Sequence, residues 1–418
     1  MITDGVAYIG TVDNAVYALR ISNGTMLWHY KTNGSVNENP LVVDGIVYVS
    51  AYAGNNGPDT IYALRANDGV LLWHYTGPDD SYIDTPLVEN GVAYVASQNG
   101  ITAFRASNGT QLWHYPSHGY TSLLSSTVNG VIYASSNVDK GPGTIYALRA
   151  SDGVVLWHYT ASSSIYLQGI LDGVVYADAD DGTLVALRIS DGHLLWQRAL
   201  DGTINQFVPE NGVIYATTLK ITYPSASAPG AASLPQTLSI GALLWNTTPN
   251  APTQKTIPLK EGLSSVYALH ISDGAILWHY TMDNGENSFA SGCAVKNGIV
   301  YASTNVSTNN NTSKSYVYAL QGGTILWQDE FSTSLSNVLL DNGVIYLGSS
   351  DNIAAGAVYA LQAQNGTLLW SYPIAGPVFE APILIDGRVY VSAANGMVYA
   401  LRAGNGSAIW HYLTEVGS

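Results

Sequence analysis

Three markers recur in phase along this chain, and together they confine it to a repeat architecture. A tryptophan closes each unit, at Trp28, Trp73, Trp113, Trp157, Trp196, Trp278, Trp327, Trp370 and Trp410. Consecutive tryptophans are 39–49 residues apart, except for 82 between Trp196 and Trp278. Each is preceded four residues earlier by a glycine, from Gly24 and Gly69 through to Gly406. The third marker is Asp-Gly or Asn-Gly ahead of an apolar stretch with Tyr, ending at Gly5, Gly45, Gly91, Gly130, Gly173, Gly212, Gly298, Gly343 and Gly387. Nine in-phase copies of each marker are the signature of a solenoid, an array or a propeller.

The pattern inside a unit selects among these. "NPLVVDGIVYVSA" (39–51) reads as strand, Asp-Gly turn, strand. "TIYALRANDGVLLWHY" (60–75) reads as a second hairpin around Asp68-Gly69. Asn-Gly and Asp-Gly supply the positive φ angles that tight hairpins need, and Val, Ile, Tyr and Trp favour strands. Each unit is therefore expected to hold four antiparallel strands, A to D, in about 40 residues, the length of a β-propeller blade. Radial stacking buries both faces of a blade. That accommodates 47% hydrophobic and only 11% charged residues without long apolar runs.

The pattern "VYALRxSDGxLLWHY" resembles the repeat of the pyrroloquinoline quinone (PQQ)-like propellers. That superfamily includes quinoprotein alcohol dehydrogenases and an outer-membrane assembly scaffold lipoprotein. Ala63, Gly69 and Trp73, and likewise Ala147, Gly153 and Trp157, match its tryptophan-docking motif. The resemblance implies that each indole packs between neighbouring blades. The chain departs from it at Arg20, Arg65, Arg149, Arg188 and Arg402, where the family often carries an acidic residue. The resemblance implies an all-β ring of eight blades, whereas nine units are counted. Three arrangements fit: nine blades, eight blades with surplus N-terminal strands, or a fragment. A terminal strand from residues 413–418 is a candidate to complete the blade formed by the other end.

The wide gap between Trp196 and Trp278 contains residues 220–262, rich in Pro, Ser, Ala and Thr. It is expected to be a loop insertion between strands B and C of the sixth unit. Long loops of this kind are often functional. The rest of the chain reads as one propeller domain, expected to be a monomer.

Composition removes several function classes. The net charge is -15, so the basic footprint of a duplex-binding protein is missing. No apolar run approaches the length of a membrane span. Cys293 is the sole cysteine, which excludes an internal disulfide and a cysteine-based zinc site. It is expected to be a small buried hydrophobe. The N-terminus has no basic region followed by an apolar core and begins almost inside a strand. That suggests a mature or truncated chain, or a start set inside a repeat. An extracytoplasmic location is expected from low charge and one cysteine, as in exported relatives.

Six of the nine histidines directly follow a docking tryptophan: His29, His74, His114, His158, His279 and His411. Side chains alternate along a strand, so each histidine points away from the face that carries its Trp. Strand D is outermost, roughly 20 Å from the axis at a spacing of about 4.8 Å per strand. Equivalent histidines in adjacent blades are then on the order of 15 Å apart, far beyond the 2.0–2.1 Å that zinc demands of its nitrogens. They are read as surface residues of an edge strand.

Strand A is innermost, so its first residues face the central channel. Counting back from the A–B glycine places Glu38-Asn39, Asp84-Thr85, Asn205-Gln206, Ser336-Asn337 and Glu380-Ala381 at equivalent mouth positions. Leu123-Leu124, Tyr166-Leu167 and Ser291-Gly292 complete the series. Glu38, Asp84 and Glu380 lie on one arc if the ring closes from unit nine to unit one, and carboxylates there suit a hard cation such as Ca²⁺. A plain solvated rim is the competing reading. By resemblance, PQQ would sit over such a cation with an Asp base and a vicinal disulfide, and one cysteine rules the disulfide out. "DADDG" (178–182) and "GPDD" (77–80) resemble cation-binding turns but fall in ordinary loops. Asn-Gly-Thr sequons at Asn23, Asn108 and Asn365 are explained by turn geometry. No phosphate loop and no nucleophile elbow is present.

These readings lead to a non-enzymatic scaffold with no cofactor. Its protein or peptide partner is expected at the mouth residues Glu38, Asn39, Asp84, Thr85, Asn205, Gln206, Asn337 and Glu380 and at the insertion. A PQQ- and Ca²⁺-dependent oxidoreductase, or a sensor or substrate-binding module of a longer protein, are the alternatives.

Overall fold

In this computed structural model the described residues are 1–414, apart from 55–56, 79–81, 118, 125, 140, 223–260, 283–286, 308–312 and 352–354. They form nine antiparallel sheets, each built from consecutive strands of one unit. Blade 2 is representative: strand A Leu41–Val43, B Ile46–Ala51, C Thr60–Arg65 and D Leu71–Thr76. Innermost strands touch across blades, as Ile165–Leu171, Thr203–Glu210 and Asn287–Lys296 do in turn. Strand A therefore faces the axis and strand D the perimeter.

Local chemistry sets the hairpins. In all nine A–B turns both central residues have positive φ, from Asp4 at 49° and Gly5 at 77° to Asp386 at 49° and Gly387 at 69°. This is the geometry for which Asp/Asn-Gly is selected. In every blade the C–D ladder slips by one residue after the Ala of strand C, before Leu in eight blades and before Phe104 in blade 3. The bulged residue is the Leu or Ile before the Trp. A bulged residue has no ladder partner, which explains why Leu27, Leu112, Leu156, Leu195, Leu277, Leu326 and Leu369 are exposed on the perimeter.

The hydrophobic core is divided into slabs between blades. One slab joins Tyr8, Val16 and Trp28 of blade 1 to Val47, Tyr62 and Leu64 of blade 2. Within a blade, Tyr of strand B and Trp of strand D flank the small Ala of strand C, as Tyr48, Ala63 and Trp73 do. Their rings are 5.9 Å apart, a favourable aromatic separation. Trp73 then reaches into blade 3, where its Nε1 donates to the Ala106 carbonyl at 2.7 Å. The Tyr48 hydroxyl donates to the same carbonyl at 3.3 Å.

The docking turn must also leave room for the indole. A Cβ at Gly109 would lie 2.8 Å from Trp73 Cγ, and φ there is 68°. Both facts exclude a side chain.

The resemblance implies eight blades, but the ring has nine. Blade 1 supplies its own innermost strand, Ile2–Thr3. Trp410 of blade 9 docks onto blade 1, donating to the Ile21 carbonyl at 2.7 Å. The closing slab contains Tyr17, Leu19, Tyr390 and Trp410. Closure thus uses the same indole-to-carbonyl contact as seven other interfaces. Among the described residues no strand is exchanged between the chain ends: the last strand, Ala408–Leu413, belongs to blade 9. Residues 415–418 of the expected exchange strand lie outside the described residues.

One docking contact differs. Eight tryptophans donate Nε1–H to a carbonyl of the following blade: Trp28, Trp73, Trp113, Trp157, Trp196, Trp327, Trp370 and Trp410. Trp278 has no such bond among the described residues. The C–D turn that it faces is a tight Gly322-Gly323 hairpin, with Gln321 paired to Thr324, and is shorter than the "SDG" turns elsewhere. It does not present the accepting carbonyl.

The strand-C arginines have a local role. Arg65, Arg149 and Arg188 pair with Asp68, Asp152 and Asp191 at 2.8–3.0 Å across the exposed C–D turn. Exposed pairs of this kind contribute little. Trp73→Phe should therefore destabilise the fold by roughly 1 kcal/mol more than Trp278→Phe, since a lost bond to a buried carbonyl costs about 1–3 kcal/mol. Urea unfolding of the two variants measures the difference.

Candidate functional site

Antiparallel alternation places the A–B and C–D turns on one rim and the B–C and D–A loops on the other. The predicted mouth residues lie on the second rim. The insertion starts there too. Strand B of blade 6 runs Val213–Thr222 and strand C Glu261–His270, paired from Thr222–Glu261 inwards. Residues 220–222 and 261–262 of the expected insertion are thus strand, and 223–260 lie outside the described residues.

The mouth positions coincide with irregularities of strand A. Bulges fall between Leu167 and Gly169, Ile204 and Gln206, and Ala290 and Gly292. In blade 8 strand A breaks into Ser334–Leu335 and Leu339–Asp341, with Asn337 in the gap. In blades 2, 3 and 9 regular pairing starts only after the mouth pair, at Leu41, Leu87 and Ile383. Such irregularities re-aim side chains.

Two groups of side chains form there. In blades 2 and 3, Glu38 Oε2 accepts from the Thr85 amide at 2.7 Å and from its hydroxyl at 2.6 Å. Its Oε1 accepts from the Tyr82 hydroxyl at 3.1 Å. Asp84 stands beside them. Burial, with the Glu38 charge next, pushes its carboxyl up to about 7 from 3.8, against a bond from Tyr82. Asp59 accepts from the amides of Ala53 at 3.1 Å and Ile83 at 3.3 Å. Burial raises its carboxyl as well, and Glu38 adds to the shift.

In blades 6 to 8 the side chains are amides. Asn205 Nδ2 donates to the Ala290 carbonyl at 2.8 Å. Gln206 holds Cys293 at both backbone groups, donating to its carbonyl at 2.9 Å and accepting from its amide. Gly292 separates Gln206 from Asn337, and a Cβ there would lie 2.9 Å from Gln206 Oε1 and from Asn337 Cγ. Cys293 is buried, as expected, and burial pushes its thiol up to about 12. It is not a nucleophile.

Not all the predicted residues meet. Asn39 and Glu380 are exposed, and no Glu380 charge acts on Asp84. Among the described residues no three His, Cys, Asp or Glu side chains form a metal-holding group. Glu38 and Asp84 therefore stand together while Glu380 lies apart from them, and both Glu38 oxygens accept bonds from Tyr82 and Thr85.

Among the described residues the edge histidines join no group of three potential metal ligands. His29, His74 and His279 stack on the cross-strand tyrosines Tyr17, Tyr62 and Tyr267 at 5.4–6.2 Å. His114 faces Thr102 instead, and Nδ1 lies 2.9 Å from its hydroxyl.

Sequence reasoning missed a buried acid. Asp178 occupies the second position after the strand-B Tyr, where the other blades carry Gly10, Ser50, Ala96, Ser135, Thr217, Ser303, Gly348 and Ser392. It is 3% exposed and accepts from Gln168 Nε2 at 2.6 Å. Burial, then the Asp180 charge, pushes it up to about 7, against bonds from Gln168 and the Ile204 amide. Aligning the nine units position by position gives the signal: one carboxylate in a column of small residues. Of "DADDG", which by sequence resembles a cation-binding turn in an ordinary hairpin, Asp178 and Ala179 lie in strand B, Val174–Ala179, and residues 79–80 of "GPDD" lie outside the described residues.

With this geometry in place, comparison with known proteins is informative. The family model described as outer membrane protein assembly factor BamB matches residues 1–121, 56–165, 121–355 and 313–418. The chain belongs to that family.

Among solved structures it is similar to BamB from Moraxella catarrhalis, with TM-score 0.53 and 14% identity over 87% of this chain and 95% of that one. The computationally designed protein Ika8 matches with TM-score 0.53 and 15% identity over the same shares, 87% and 95%. A quinohemoprotein alcohol dehydrogenase from Pseudomonas putida HK5 matches with TM-score 0.51 and 17% identity, over 96% of this chain and 69% of its own. At these identities the structures support the fold alone. No curated protein sequence matches the chain.

A carboxyl raised in the folded state stabilises fully below its usual value near 3.8 and loses that contribution as pH rises towards 7. Asp178→Asn, which stays neutral, should therefore gain stability over the parent progressively from about pH 4 to 7, with a constant gain above. Urea midpoints of both proteins across that range check this, and Asp84→Asn should behave alike.

Proposed function

We propose that this BamB-family propeller is a non-enzymatic scaffold, acting outside the cytoplasm, that holds a protein or peptide partner on the rim of the B–C and D–A loops. The observation that carries this reading is the use made of the mouth side chains. Glu38, Asn205 and Gln206 are spent on bonds to Thr85, Ala290 and Cys293 of the next blade. They stiffen the rim and are not left free for a cofactor. The insertion in blade 6 emerges from that rim, and loops on a rigid ring are the usual place for partner contacts. The family description, outer membrane protein assembly factor, supports the extracytoplasmic placement and the partner class. A PQQ enzyme of the kind the resemblance offers would need a vicinal disulfide, which one buried cysteine does not supply. Fold alone does not carry the dehydrogenase activity of a structural neighbour.

The test combines thermal unfolding with cross-linking. A ligand that binds only the native state raises the transition, so PQQ with Ca²⁺ at saturation should leave it unchanged. Cross-links from the purified chain to envelope proteins should map to the Asn39, Glu380 and 220–262 rim and vanish when 223–260 is replaced by a short linker. A PQQ-dependent rise of several degrees, or cross-links confined to the Asp/Asn-Gly rim, would overturn the proposal.

A further inference from the structure

The nine blade interfaces are not equally complete. Three side-chain hydroxyls between blades 6 and 7 are fully buried and have no hydrogen-bond partner: Thr217, Ser288 and Thr304, each 0% exposed. The strand registers place them together. Thr217 shares its face of strand B with Tyr215, and Thr304 shares its face with Val300 and Ala302. Those two faces pack on one another in a single slab that holds Tyr215, Val300 and Ala302. Ala290, opposite Thr304, joins the slab, and Ser288 lies on the same side of strand A. Among the described residues the four remaining unpartnered buried atoms are on Asp13, Ser163, Thr333 and Tyr390, and Tyr390 lies in the slab between blades 9 and 1.

Elsewhere the position of Thr217 is satisfied. The Ser303 hydroxyl donates to the Ser336 carbonyl of the next blade at 2.9 Å, and Ser50 donates to the Ile83 carbonyl. Between blades 6 and 7, Ser264 takes the inner-strand backbone instead. It donates to the Ser288 carbonyl at 3.0 Å and accepts from the Ala290 amide at 2.7 Å. Thr217 and its two neighbours are left without protein partners. The same interface is the one where Trp278 lacks a carbonyl for its N–H, because the facing turn is short. Two independent features thus single out this seam.

A buried hydroxyl without a partner is strongly disfavoured, and native proteins satisfy such groups with internal water. We infer that ordered water occupies the interface between blades 6 and 7, held by the Thr217, Ser288 and Thr304 hydroxyls. The seam gathers three such hydroxyls at one interface, on and beside the hairpin that carries the insertion.

The sign of a substitution effect tests this. If water completes the hydroxyls, Thr217→Val and Thr304→Val each strip a water of a partner and lower the melting temperature, by on the order of 2 °C. If the hydroxyls are dry, removing them relieves an unpaired polar group, and the melting temperature rises. A rise or no change in both variants overturns the inference. A crystal structure of the full chain beyond 1.8 Å or so, the range in which internal waters are well defined, gives a reading that does not depend on the variants folding. It should show water within hydrogen-bond distance of at least two of the three hydroxyls, and an empty interface overturns the proposal.

Discussion

One carbonyl at each of eight interfaces organises the molecule. It is the carbonyl of the residue just past strand C, such as Ala106, and it accepts from Trp73 Nε1 and Tyr48 Oη of the preceding blade. A buried carbonyl with two lone pairs can take both bonds, and both donors also bury large aromatic area. The alanine between them in strand C, Ala63, must be small so that Tyr and Trp can meet over it. The glycine of the next turn must lack a Cβ so that the indole can lie flat. Three of the most regular residue choices in the repeat thus follow from one contact. Because Trp410 makes the same contact with Ile21, the ring needs no exchanged strand to close.

Ring rigidity in turn shapes the mouth. Innermost strands are packed against one another and cannot all stay regular, and the irregularity appears as bulges or breaks at the same register. These turn Gln206, Asn205 and Glu38 sideways onto the neighbouring blade rather than into an open channel. The raised carboxyls of Asp84 and Asp178 belong to this arrangement: both are held in surroundings that favour the neutral acid. Perturbed carboxyls are often functional, but structural networks shift them too. Here Asp84 and Asp178 take bonds from Tyr82 and Gln168 of their own blades, and Asp178 takes one more from the Ile204 amide of the next blade.

The departures from the repeat are concentrated in the second half of the ring. Blade 5 replaces a small residue by Asp178, blade 6 carries the insertion, and blade 7 shortens its docking turn. A ring built from equivalent contacts tolerates such changes because each blade touches only its neighbours.

The sequence by itself determined the blade. Turn residues, strand period and the Trp-Gly spacing act within some 40 residues, so nine strand pairs, their turns and the outward histidines were legible from Asp44-Gly45 or Trp73-His74 alone. It also made clear that Cys293 could form no internal disulfide. Tertiary structure decided what depends on the angle between blades. The number of blades in the ring follows from whether Trp410 meets Ile21, a contact 389 residues apart. The fate of the mouth residues follows from bulges, whose position depends on packing between neighbouring innermost strands. Glu38, Asp84 and Glu380 read as one arc because counting from a glycine assumes equal, regular strands. The strands are neither, and two of the three carboxylates meet while the third stays in solvent.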